Sequence, residues 1–497
     1  MAKIIKRTPS QQKAMHERFA VARHERLNKD VRSAGLSVDE TLRRDLYRLI
    51  MLSRQAGEDN GFVKRYYGMV QSHVVGENGF TLRCKIKNDV GQLDTAANKA
   101  VEQAWKAFSK LGVCEISGRM NLVSAQQLIA KTVAQDGDIL IRHLPGANNQ
   151  FGYAFQLFEN DILDIQLQKR VSNDTVIKMG VEQNNYGQHI AYHLLTAHPG
   201  EYTINYSGRR YVRIPANEML LPFPIWRTGQ SRGVPWAHAA LIDTSEIKSM
   251  RESILLATSI AAANQTVYER DPEQPPPDEE FNGEGEIIQE LVPGGISMVP
   301  QGFKMSTTSF AMPDGNFGEF QKTGLRGVSS GLEVGYNHLA NDYESVNFSS
   351  LRASVLEDRE HWKRLQTWFI GQVMNPIFEA WLRNALLMDA IPGLDLTDLN
   401  RVLNGYEFKG RRWQWVDPLK DEQAVELSLK NGTTSLIRVL EDKGIDPEDF
   451  KDELKRSDEI YALLPAHIKQ LVSKNGNGAG DVDAMVEAVM AKLSNQE

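Results

Sequence analysis

The string Gly327-Val328-Ser329-Ser330-Gly331 has the spacing that exposes a serine nucleophile on a sharp turn, and His338 and His361 downstream offer imidazole bases. Acyl transfer by such a serine needs a strand, a tight elbow and a helix in that order. Here the string lies inside a helical pattern with no strand before it, so a serine hydrolase would have the residues without their scaffold. His189 and His193 stand four apart, as in a helical zinc pair, but their segment alternates like a strand. Asp161 and Asp164, near Asp138, are the types for paired acid–base work. No other residue suggests what they would act on, so they are expected to be solvated turn carboxylates. There is no glycine-rich loop ending in Gly-Lys-Ser or Gly-Lys-Thr, so no phosphate cradle is indicated. Cys84 and Cys114 are too few for a disulfide framework or a cysteine-rich metal site, and are expected as buried thiols in a reducing compartment. These residues together predict no catalytic centre, no metal and no cofactor.

The elements around them belong to a chain of 497 residues, long enough for two to four domains, with 41% hydrophobic and 24% charged residues. Its formal net charge of −7 excludes a chain-wide electrostatic grip on nucleic acid, so any such contact must be local. Met1–Arg7 is charged but is followed by no apolar core, so it is not read as a secretory signal. The longest apolar run, Ile254–Ala263, falls well short of the roughly 20 residues that span a bilayer, and a soluble protein without membrane contact is expected.

Residues 1–35 form a basic arm with Lys3, Lys6, Arg7, Lys13, Arg18 and Arg23 among few apolar residues. Residues 36–234 read as a mixed domain. Ser37-Val38-Asp39-Glu40 is a capping-box start, followed by Leu42, Leu46, Leu49 and Ile50 at helical spacing. A second helix from about Gly61 carries Val63, Tyr66, Tyr67 and Val70 and ends near Gly76. Helices follow at 94–110 and 124–135, with short, mainly antiparallel strands at 138–142, 153–158, 176–181, 189–194 and 211–214. The fold class is therefore α+β.

From Pro235 the pattern is helical to about Tyr268 and rich in Ala, Ser and Thr, which permits close approach of a neighbouring backbone. The insert at 269–315 opens with the acidic, proline-punctuated Glu269–Glu280, which cannot be helical and must project or loop, and Leu291–Ser309 carries Gly294-Gly295 and short β-like pieces. A second helix spans 316–339, a polar loop 340–350, and a long helix 351–390, with Ser350 as the expected N-cap and Pro376 as the expected kink. Run to Leu387, that helix has a path of roughly 55 Å. Residues 391–470 hold a strand-like Arg412–Val416 and helices at 418–430, 435–443 and 446–457, and a glycine-rich linker begins the tail at 471–497.

Several pieces of this layout resemble the lambda-type portal proteins of tailed bacteriophages. They are Asp59-Asn60-Gly61-Phe62-Val63, Ser72-His73-Val74-Val75-Gly76, Asp136-Gly137-Asp138, Arg232-Gly233-Val234-Pro235-Trp236 and Leu291-Val292-Pro293-Gly294-Gly295. The run from Asn341-Asp342-Tyr343 to Asn347-Phe348-Ser349-Ser350-Leu351-Arg352 is the most specific. Trp415–Lys420 and Lys443-Gly444-Ile445-Asp446 follow, so the similarity covers about residues 35–460.

The resemblance implies a ring of twelve copies at one capsid vertex of a virion, assembled in the host cytoplasm. Double-stranded DNA would enter and leave through the ring, and its partners would be the terminase large subunit, head-completion or adaptor proteins, and the major capsid and scaffold proteins. Mapped by order, 36–234 is the wing, 235–268 and 316–339 the two-helix stem, and 269–315 the β-containing clip. The segment 340–350 is the tunnel loop, 351–390 the kinked helix and 391–470 the helical crown side.

On that map Lys322, Arg326, Ser329 and Glu333 fall near one face of the second stem helix, while Phe317, Phe320, Leu325, Val328 and Leu332 take its apolar positions. The polar face either points into the channel or is an ordinary solvated face. The tunnel loop, Asn341, Asp342, Tyr343, Glu344, Ser345, Val346 and Asn347, holds acids but no lysine or arginine, which predicts a low-friction collar for DNA. The clip acids Glu273, Asp278, Glu279, Glu280, Glu284 and Glu286 either dock a basic partner or keep a protruding loop soluble.

Overall fold

Ser37 begins the first helix, α1 (Val38–Asp59): its Oγ accepts from the Glu40 amide at 3.2 Å. The expected capping box is only half made, because the Glu40 carboxylate turns instead to Arg43 and Arg44, which hold its pKa below the ordinary value. In this computed structural model the described residues are 35–88, 91–201, 210–262, 266–270, 303–307, 317–344, 346–413, 418–443 and 450. They fall into two compact units, Met1–Gly410 and Arg411–Glu497. Within the first, α1 buries Leu42, Leu46 and Ile50 against Ile165 and Met179. Asn60 caps α2 (Gly61–Val70), which runs on as a π-helical turn to Val75 and stops at Gly76, as its apolar pattern predicts. Helices α3 (Thr95–Phe108) and α4 (Leu122–Asp136) lie within a few residues of their expected spans.

The strands are β1 (Thr81–Cys84), β2 (Leu140–Pro145), β3 (Tyr153–Phe158), β4 (Lys169–Arg170), β5 (Thr175–Lys178), β6 (Val181–Asn184), β7 (His189–Leu195), β8 (Tyr211–Pro215) and β9 (Met219–Leu220). An antiparallel meander β4-β5-β6-β7-β8 stands beside a small sheet β3-β2-β9, around a core that includes Leu140, Leu163, Val181 and Tyr192. The single strand expected at 176–181 is a hairpin. Met179 (φ 48°) and Gly180 (φ 81°) form its two-residue turn, with both residues in the left-handed region that such turns require. Methionine hides that signal; the turn is held from outside, where Arg232 donates to the Met179 carbonyl oxygen.

After a 3₁₀ turn at Trp236–Ala239, α5 spans Leu241–Ala262. It ends before the expected Tyr268, which lies in strand β10 (Thr266–Arg270), paired antiparallel with β11 (Phe303–Thr307). That pairing closes the base of the insert; the named acids from Glu273 to Glu286 lie outside the described residues. Helix α6 (Phe317–Gly331) is shorter than expected: the chain breaks at Glu333 (φ 55°) and resumes as α7 (Tyr336–Ala340). The close approach of α5 and α6 comes from glycines on α6. A Cβ at Gly324 would stand 3.1 Å from Ile247 Cδ1, and one at Gly331 3.3 Å from Ala240 Cβ.

Helix α8 (Phe348–Phe369) is capped by Asn347, whose Oδ1 accepts from the Ser350 amide at 2.8 Å, so Ser350 is inside the helix and not its cap. A π-helical turn at Ile370–Met374 separates α8 from α9 (Asn375–Leu387). It falls immediately before Pro376, where the missing N–H would have broken the ladder. Trp381 and Phe378 of α9 pack with Trp105, Phe108 and Phe151 in an aromatic core. After α10 (Leu399–Leu403), strand β12 (Tyr406–Lys409) pairs with β1. The aromatic strand thus lies earlier than the expected Arg412–Val416, whose described part is irregular. The second unit contains α11 (Pro418–Lys430) and α12 (Leu436–Lys443), close to expectation; the helix expected at 446–457 falls almost wholly outside the described residues.

Candidate functional site

The serine string does not make a nucleophile. Ser329 is 4% exposed and its Oγ donates to the Arg326 carbonyl oxygen at 2.9 Å inside α6, with no strand ahead of it. The imagined bases serve elsewhere. His338 Nδ1 lies 2.6 Å from Asp358 Oδ2, and His361, whose pKa burial lowers, has Nδ1 3.3 Å from Glu333. Cys84 and Cys114 are free and buried; burial raises both thiol pKa values, that of Cys114 to about 12. A thiol so placed is a packing group, not a nucleophile.

Among the described residues, the histidines and acids at 159–198 are engaged by other side chains and the backbone. His193 Nε2 stands 2.9 Å from Glu182, which also binds Arg213, and His189 Nδ1 stands 3.0 Å from the Tyr192 hydroxyl. Glu159, Asp161 and His198 bring possible ligand atoms within 4.8 Å of one another. However, His198 Nδ1 accepts from the Gly200 amide at 3.1 Å, so the ring proton sits on Nε2, which faces Glu159 and has no lone pair to give. Asp161 is already held by Arg54 at 2.5 Å.

Asp161 and Asp164, expected to be solvated, and their neighbour Asp138 are instead structural groups: Asp138 and Asp164 are buried and Asp161 is partly buried. Asp138 binds Arg232, itself 0% exposed, through Nε at 2.7 Å and Nη2 at 3.1 Å. Arg232 also donates to the carbonyl oxygens of Leu163, Met179 and Asn160. Asp161 shares Arg54 with Asp136, and Asp164 accepts from the Tyr211 hydroxyl at 2.7 Å. Residues 137 and 233 touch through their backbones: a Cβ on Gly233 would lie 2.0 Å from the Gly137 carbonyl oxygen. That crossing is why both positions are glycine.

What the chain does present is the turn between α7 and α8. Asn341 (φ 55°) ends α7 in the left-handed conformation and Asn347 starts α8; between them Tyr343 is 46% exposed and Glu344 is exposed. The base of the loop is clamped. The Tyr336 hydroxyl donates to Asp342 Oδ2 at 2.7 Å and Lys322 Nζ lies 3.8 Å from the same oxygen; Tyr336, first, then the Glu344 amide and the nearby cations hold Asp342 below the usual carboxylate range. Asp358 accepts from the Gly335 amide at 3.0 Å as well as meeting His338, and Arg65 Nε donates to the His338 carbonyl oxygen at 2.7 Å.

Of the expected stem face, Lys322 is half-buried against Asp342, and Arg326 is exposed with its guanidinium carbon 5.6 Å from the Tyr336 ring. Ser329 is buried beneath that face. Glu333 lies past the helix end, paired with Arg364 at 2.9 Å, and Phe320, expected to be apolar and packed, is 53% exposed. Ser345 and the clip acids Glu273, Asp278, Glu279, Glu280, Glu284 and Glu286 lie outside the described residues. Sequence reasoning missed Tyr336, Asp358 and Arg65. The last two act across hundreds of residues or between elements and leave no local sign, whereas the Tyr336–Asp342 spacing was within reach.

A family model described as phage portal protein, lambda family, matches residues 24–366. A probable portal protein of Halomonas phage phiHAP-1 is 32% identical over 444 residues, covering 88% of this chain and 85% of that protein. Among solved structures, a chain from the virion of a native gene transfer agent particle has 10% identity and a TM-score of 0.43, covering 81% of this chain and 94% of that one. A chain from the neck of the native particle, computed with twelvefold symmetry, has 11% identity and a TM-score of 0.42 over the same shares. These two likenesses are loose and add nothing to the family match.

Proposed function

The chain belongs to the lambda family of phage portal proteins and is a structural protein, not an enzyme; from that premise we propose that copies of it form a ring at one capsid vertex through which double-stranded DNA enters and leaves the head. The observation that carries this reading is the clamped, exposed turn at 341–347. A loop fixed at its root by the Tyr336–Asp342 and His338–Asp358 contacts, with Tyr343 and Glu344 exposed, suits a collar around a moving duplex. On this reading Lys322 and Arg326 form the stem's channel side, with Ser329 buried below them, while Glu333, past the helix end, is paired with Arg364.

Twelve copies, the terminase large subunit, head-completion or adaptor proteins, and capsid and scaffold proteins complete the assembly. The pairing of β10 with β11 brings the two ends of the segment between them together, and Glu279 and Glu280 of that segment are its docking acids in this reading. Reversing the charge of both is expected to weaken terminase binding, most at low salt; equal binding at all salt concentrations rejects the docking role. The ring itself is tested by negative-stain microscopy of the purified full chain. Closed rings with a central hole are expected, and a field of monomers or open filaments counts against the proposal.

A further inference from the structure

Two clefts in the first unit carry opposite charge and share no lining residue. One, of about 470 Å³, lies between the start of α2, α5 and the end of α7, where Arg65, Lys248 and Arg251 face Asp59 and Glu252. The other, of about 570 Å³, lies between the end of α6 and α8, where Glu333, Glu357, Asp358 and Glu360 face Arg364. In the acidic cleft, Glu333 is held by Arg364, Asp358 by His338 and Glu360 by Lys363. Glu357 is exposed and has no ion pair among the described residues. In the basic cleft, Lys248 and Arg251 are likewise exposed and without an ion pair or hydrogen bond among the described residues. The same flank of α5 leaves Leu255 67% and Leu256 63% exposed.

A closed ring of more than two identical copies needs two different surfaces on each chain that complement each other, because every contact is head to tail. The geometry points to these two clefts as that pair: Lys248 and Arg251 of one copy face Glu357 of the next, and the α5 flank is covered by the same neighbour. This inference rests on the ring reading. Charge fixes which faces meet and in what register, while Leu255 and Leu256 supply apolar burial. An apolar flank alone would not choose between neighbours.

The test reverses each side separately in the full-length chain and reads the oligomeric state by native mass spectrometry. Lys248→Glu/Arg251→Glu and Glu357→Lys are each expected to lower the ring fraction at least tenfold. An equimolar mixture of the two is expected to restore rings in which the variants alternate, since every junction is then again complementary. An unfolded variant cannot produce that rescue. The milder pair Lys248→Ala/Arg251→Ala and Glu357→Ala should reduce rings with an unchanged thermal midpoint. Wild-type-like assembly of the single-side variants, or a mixture of folded variants that stays monomeric, overturns the inference and leaves the ring reading standing. Normal rings that lose duplex-DNA binding on Lys248→Glu/Arg251→Glu also overturn it, since the cleft then faces DNA. Absence of rings in the unaltered chain overturns both.

Discussion

Asp138 and Arg232 stand 94 residues apart in sequence and meet with no exposure to solvent. Nothing local announces that: the acids at 138, 161 and 164 look like turn carboxylates until Arg232, Arg54 and Tyr211 arrive from distant segments. Removing one member of a buried pair strands the other charge, so Arg232→Met is expected to cost about 3–5 kcal/mol in urea unfolding. Adding Asp138→Leu should recover about 1–3 kcal/mol of that loss; strict additivity would mean the two do not act as a unit. A second residue-scale effect concerns His143, buried with Nδ1 2.6 Å from the Tyr153 hydroxyl, whose pKa burial lowers to about 4. Because the folded state resists the proton and the unfolded state accepts it near 6.5, this group favours folding above pH 6.5 and loses its contribution as the pH falls from 6.5 towards 4. The loss reaches about 3 kcal/mol at most. Thermal midpoints should therefore fall less steeply over that window in His143→Gln, and identical acid profiles would exclude His143 as the cause.

Elements were legible wherever an apolar period met a cap or a breaker. Val63, Tyr66, Tyr67 and Val70 marked α2, Gly76 its end, and Pro376 the break in the long helix. Misreadings arose where tertiary contacts overrode such signals. The Met179-Gly180 turn is fixed by Arg232, the break after α6 is held where the Gly335 amide donates to Asp358 of α8, and the short stretch to β10 looked helical because Ala and Thr tolerate both states. The start of α8 illustrates the cap rule at closer range. Two neighbouring residue types, Asn347 and Ser350, qualify, and the one that meets the third amide onward is Asn347. Asn347→Ala should destabilise the first turn of α8 by about 1 kcal/mol, seen as roughly fivefold faster amide exchange at Ser350 and Leu351. Unchanged exchange there, or an equal effect from Ser350→Ala, would return the cap to Ser350.

At the scale of the whole molecule the charge of −7 and the acidic loop belong to one argument. A passage for DNA must not hold what it passes, and each phosphate neutralised by a cation releases counterions and adds salt-dependent affinity. Around the exposed turn, Asp342 is engaged by Tyr336 and Lys322, whereas Glu344 is exposed at the tip. Glu344→Lys therefore changes the tip without undoing the clamp at its base. If the loop encircles DNA, rings of this variant should bind a short duplex more tightly than unaltered rings. The logarithmic salt slope should also be steeper, by roughly 0.9 for each phosphate contacted. Heads assembled with the variant should fill more slowly. Deleting 341–347 should impair DNA retention in filled heads. A Glu344→Lys ring with the unaltered salt slope would place the turn away from the duplex, and the collar would then have to be sought on the stem face around Lys322 and Arg326.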